Sequence, residues 1–72
     1  MLGENDKFPP KVIDLMYKND RLNLLEMRYI NNKLKVKALR LFVSMRYSPN
    51  PELYDKMSKR ELIFELRRKR YN

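Results

Sequence analysis

Seventy-two residues carrying 17 Lys and Arg against 9 Asp and Glu, a formal charge of +8, make one small domain whose surface favours anionic partners. The chain has no cysteine and no histidine, which excludes disulfides, thiolate or imidazole metal sites, the usual general base and the thiolate nucleophile. Gly3 is its single glycine, so a glycine-rich phosphate loop is excluded too, and the expectation is a protein that is not an enzyme and takes no metal or cofactor.

In chain order, residues 1–8 read as a loose polar arm, and Pro9-Pro10 suits the first turn of a helix. Val12, Leu15 and Met16 give 10–18 a short apolar face; Asn19 can end it and Asp20 can cap the next helix. The second helix spans 21–30, with Leu22, Leu25 and Tyr29 on one face. Asn31-Asn32 follows and allows two readings. Either the pair ends that helix and a third runs over 33–47, or it is the two-residue turn of a β-hairpin. The hairpin sets Tyr29 against Leu34, Met27 against Val36 and Leu25 against Ala38, but it also opposes Arg28 to Lys35. Helical spacing that persists to Met45 favours the third helix.

On that helix Leu34, Ala38, Leu41, Phe42 and Met45 form the main apolar stripe, with Lys33, Lys37, Arg40 and Ser44 beside it. Val36, Leu39, Val43 and Tyr47 lie opposite and also need cover, so the helix is expected at the centre of a bundle or in an interface. Ser48-Pro49-Asn50-Pro51 breaks the chain. A short helical turn is expected at 51–57. Ser58-x-x-Glu61 is a capping box opening a last helix over 58–70, with Leu62, Ile63 and Leu66 facing the core. The fold class is all-α, a small bundle of three to five short helices occupying 9–72, with the hairpin as an α+β alternative.

A domain this size buries only about 60% of its unfolded surface. Without staples, homodimerisation is another route to stability, and it is held open. The polar stretch 1–10 does not read as a signal peptide. No run of aliphatic or aromatic residues is longer than Leu41-Phe42-Val43, far below the ~20 residues of a membrane span. A soluble cytoplasmic protein is expected. Seven Asn, with Lys, Tyr and Ile also encoded by AT-rich codons, suggest a phage, plasmid or AT-rich bacterial origin.

Function is read from the charge pattern. Up to Glu26 five acids face four bases, whereas Arg28, Lys33, Lys35, Lys37, Arg40 and Arg46 fall between Met27 and Pro51 without an acid, and Arg67-Arg68-Lys69-Arg70 comes last. The leading expectation is a basic DNA- or RNA-binding regulatory or accessory protein. Lys33, Lys37 and Arg40 would hold phosphates from one helix, and Arg60, Arg67, Arg68 and Arg70 would add a second strip. Met57, Phe64 and Tyr71, seven residues apart, are candidates for stacking on bases or anchoring an interface. The alternative is an inhibitor or adaptor that docks on an acidic protein surface through the same residues. For Arg67 to Arg70 the bland reading is that they only complement a helix dipole. Residues 57–66 resemble the second-helix region of SAP and LEM modules, where a capped Glu-Leu pair precedes another Leu. No functional residue is carried over from that likeness.

Overall fold

A proline pair, two capping boxes and one buried arginine determine most of this architecture. The computed structural model describes residues 8–48 and 50–71. In order they form α1 (Pro10–Met16), α2 (Leu24–Lys33), α3 (Val36–Tyr47), a 3-10 turn (Pro51–Tyr54) and α4 (Lys59–Glu65). The described residues contain no strand, so the all-α bundle stands and the hairpin does not form.

Pro10 starts α1, which buries Val12, Leu15 and Met16, the face expected from the sequence. Of the arm at 1–8, residues 1–7 lie outside the described residues, and Phe8 is buried in the core. The second helix begins later than expected. Asn23, not Asp20, is its N-cap: the Asn23 side chain accepts from the Glu26 N–H and the Glu26 carboxylate accepts from the Asn23 N–H, a full capping box. Two satisfied donors outcompete the cap Asp20 could offer, and Asp20 turns back to accept from the Arg21 N–H.

Asn31 and Asn32 are neither turn nor break but lie inside α2. Asparagine costs a helix at most about 0.7 kcal/mol relative to alanine. Ile30 and Leu34, four apart, are both buried, and burying such side chains is worth about 1.5–3 kcal/mol each. The break comes at Leu34-Lys35, both extended.

α3 is the central element and packs against α1, the 3-10 turn and α4. Its buried face is Leu39, Phe42, Val43, Ser44, Arg46 and Tyr47. Leu39, Val43 and Tyr47 of the stripe expected to be secondary thus join Phe42 of the main one, while Met45 is exposed and Leu41, Ala38 and Val36 are half-buried. The reason is Arg46. Its side chain is 1% exposed, although the charge pattern had placed it on the basic surface. Nη1 donates to the carbonyls of Leu15, at 2.7 Å, and Lys18; Nη2 donates to that of Asp20; and Nε donates to the Tyr47 hydroxyl at 2.7 Å. The Leu15 carbonyl belongs to the last turn of α1, where helices leave acceptors unpaired. Arg46 therefore caps α1 from within the core.

Ser58 and Glu61 form the expected capping box of α4. The helix stops at Glu65 rather than reaching residue 70. Bonds from Leu66, Arg67 and Arg68 to carbonyls three residues back tighten the last turn. The tail then leaves the helix axis, so that the Tyr71 N–H donates to the Arg46 carbonyl at 2.9 Å and the Arg70 guanidinium lies over the Tyr17 ring. These tertiary contacts stand where a continued helix was expected.

Arg46→Ala removes a donor from the Leu15 carbonyl, which keeps only the Lys18 N–H at 3.3 Å, and from the partly buried Lys18 and Asp20 carbonyls. An unsatisfied buried acceptor costs about 1–3 kcal/mol. The variant is expected to lose about 3 kcal/mol or more in urea unfolding, and Arg46→Lys less. Ser58→Ala should cost about 1 kcal/mol by the same measurement.

Candidate functional site

Two grooves on the described surface are lined by basic residues and no carboxylate. The first is built at the α2–α3 link. Because the chain turns within Leu34-Lys35, Lys33 at the end of α2 and Lys35 and Lys37 at the start of α3 converge on one groove, whose floor is Phe8, Pro9, Leu34, Ala38 and Leu41. All three lysines are exposed. Lys33 and Lys37 were expected on one helix and are on two, yet the turn brings them together. The N-terminus of α3 opens beside them. No side chain caps it, and its first turn holds no acid, so the positive end of the helix dipole adds to the lysines. Lys33 also lies 5.8 Å from the centre of the Tyr29 ring, which Lys11 covers at 4.6 Å.

Arg40 does not project freely with Lys37. Its guanidinium donates twice to the Met57 carbonyl, at 3.1 and 3.3 Å, tying α3 to the segment before α4. It borders a small hollow with Lys37, Leu41, Ser44 and Asp55.

The second groove lies between α2 and α4. Leu24, Met27, Ile63 and Phe64 form its floor, and Arg28, Asn31, Arg60 and Arg67 its walls. The Arg67 guanidinium is 5.6 Å from the Phe64 ring centre, within cation–π range. The remaining expected basic residues are engaged elsewhere. Arg68 donates to Glu65 at 2.7 Å, and Arg70 is half-buried with its Nε enclosed and unpartnered among the described residues. Met57, Phe64 and Tyr71 do not share a helix face. Met57 precedes α4 and packs against the core, Phe64 is exposed on α4, and Tyr71 lies on the tail.

Sequence reasoning missed Arg28, Lys35, Leu24 and Asn31 as site residues. For three of them the signal was present: Leu24, Met27, Arg28 and Asn31 stand at i, i+3, i+4 and i+7 of a helix starting after Asn23. A helix started at Arg21, with Leu25 on its inner face, hid that spacing.

Near the Arg46 cage, Lys18 donates to both Glu26 oxygens at 2.9 and 3.1 Å. Burial works to raise the Glu26 carboxyl, but the Lys18 ammonium and the Asn23 N–H outweigh it and hold its pKa below the usual glutamate range. Burial is also the main reason that the Tyr47 phenol is pushed up, against the opposing bond from Arg46. It stays neutral and donates to the Leu66 carbonyl at 3.1 Å.

No family model, no curated protein and no solved structure matches this chain. The described residues hold no helix long and apolar enough to cross a membrane.

A depressed carboxyl pKa adds stability above the unfolded-state value and loses it as pH falls through the folded value. Stability measured by urea unfolding should therefore fall as pH drops below the usual glutamate range. Glu26→Gln should be less stable than wild type at neutral pH and lose less on acidification.

Proposed function

We propose that the protein binds nucleic acid through the lysine groove at the α2–α3 link, as a non-enzymatic regulatory or accessory protein. The observation that carries this reading is the convergence of Lys33, Lys35 and Lys37 on the uncapped N-terminus of α3 without any carboxylate in the groove. Three ammonium groups and a helix N-terminus form a surface that a phosphodiester backbone satisfies and that otherwise repels itself. Lysine acts here as a point charge, suited to phosphates rather than base edges. The groove therefore supports backbone binding with little choice of sequence. Arg40, Arg68 and Arg70 have intramolecular roles, which concentrates the proposal on the lysines.

The test is a salt titration of binding to labelled duplex DNA, single-stranded DNA and RNA, read by anisotropy. Binding should weaken steeply with salt. Each lysine that contacts a phosphate of duplex DNA contributes about 0.9 to the log–log slope, so Lys33→Ala/Lys35→Ala/Lys37→Ala should flatten it by about 2 to 3. No binding at low salt, or an unchanged slope in the triple variant, overturns the reading.

A further inference from the structure

α2 is the element least served by the fold around it. Ile30 is its one buried residue, while Leu24 is 60% and Leu25 74% exposed. Across the groove α4 leaves Phe64 63% exposed. Neighbouring exposed apolar side chains with a polar rim mark an interaction surface more often than scattered ones do. The rim here is specific in sign: Arg28, Arg60 and Arg67 surround Leu24, Met27, Ile63 and Phe64 with no carboxylate among the lining residues.

We infer that the α2–α4 groove is a docking site for an acidic amphipathic helix of another protein. The spacing supports a helix. Leu24, Met27, Arg28 and Asn31 follow the i, i+3, i+4, i+7 pattern on one wall, and Arg60, Ile63, Phe64 and Arg67 repeat it on the other. Seven residues of helix span about 10.5 Å, which matches two turns of an inserted helix anchored at i, i+3 or i+4, and i+7. The groove volume of about 350 Å³ sits at the bottom of the range of about 300–1,000 Å³ for small-molecule pockets, and it suits a few apolar side chains. Arginine and aromatic residues together are the composition of interface anchors.

Charge complementarity selects among the occupants. A single nucleic-acid strand would satisfy the arginines and stack on Phe64, but it presents no aliphatic surface to Leu24, Met27 and Ile63. A second copy docked through the same face would set one carboxylate-free arginine rim against another. An acidic amphipathic helix supplies carboxylates for the rim, where arginine makes bidentate pairs, and aliphatic side chains for the floor. The inference is independent of the nucleic-acid reading, because the two grooves share no residue.

The probe is a fluorescein-labelled, helix-forming peptide with Leu at i, i+3 and i+7 flanked by Glu. It is compared by anisotropy with a scrambled peptide of the same composition and with an oligo(dT). The helical peptide should bind at least about tenfold more tightly than the scrambled one, and Phe64→Ala should weaken it by about tenfold or more. Lys33→Ala/Lys37→Ala should leave it unchanged. Arg28→Glu/Arg60→Glu should lose the Glu peptide and gain its Lys-substituted counterpart. Arg28, Arg60 and Phe64 are all exposed, so these variants should keep the wild-type circular dichroism spectrum. Equal binding of the scrambled peptide, or indifference to Phe64→Ala, overturns the inference. So does an oligo(dT) complex that is itself lost in Phe64→Ala, which assigns the groove to nucleic acid. Self-association abolished by Phe64→Ala also overturns it and assigns the groove to a second copy.

Discussion

The fold depends on a buried cation whose direct partners among the described residues are carbonyls and a hydroxyl rather than a carboxylate. Arg46 is enclosed by the carbonyls of Leu15, Lys18 and Asp20 and by the Tyr47 hydroxyl. Removing a guanidinium from water costs several kcal/mol unless its donors are taken up. Here peptide dipoles take them up, at a helix end that needed a donor. The Arg46 backbone carbonyl in turn receives the Tyr71 N–H, and Tyr47 reaches the Leu66 carbonyl. Two adjacent residues of α3 thus hold the end of α1, the following loop, the end of α4 and the tail. Peptide carbonyls do not titrate, so the hydrogen bonds of this anchor are not acid-labile; the acid sensitivity lies in the nearby Glu26 carboxylate, which feels the charges of both Lys18 and Arg46.

That anchor also organises the surface. With Arg46 turned inward, Arg40 bound to the Met57 carbonyl and Arg68 bound to Glu65, several cations of the sequence serve the fold. Among the exposed cations, two unlike groups line grooves. The lysine groove offers flexible point charges beside a helix N-terminus. The arginine groove offers planar donors around aliphatic and aromatic side chains. Both favour negative partners, and their chemistry separates a phosphate backbone from an acidic helix.

The sequence showed the helical class, the start of α1, the break between α3 and the 3-10 turn and the Ser58 capping box. Each rests on local interactions that a few adjacent residues specify. The Asn23-x-x-Glu26 box was equally local and would have moved α2 to its true start, since it repeats the pattern at Ser58. Other features were not local. Arg46 could not be told from its basic neighbours, because its acceptors are backbone carbonyls 26 to 31 residues away, and any sequence supplies carbonyls. The early end of α4 depends on Tyr17 and on the Arg46 carbonyl for the same reason. Among the site residues, Lys33 and Lys37 converge only because of a two-residue link. Arg60, Phe64 and Arg67 gained their meaning from Leu24 and Arg28 across the groove.

The Arg46 cage does not include α2. That helix is joined to the rest by Ile30, by half-buried Met27 and Tyr29 and by the Lys18–Glu26 pair. Local opening free energies follow such differences in tethering. Amide protons of α2 should exchange with solvent through partial openings that leave α3 closed, while those of α3 wait for global unfolding. The groove with the exposed apolar floor is therefore walled on one side by the helix with the fewest buried residues for its length. Any partner seated there acts as a stabiliser of α2, and its affinity includes the free energy of holding that helix in place.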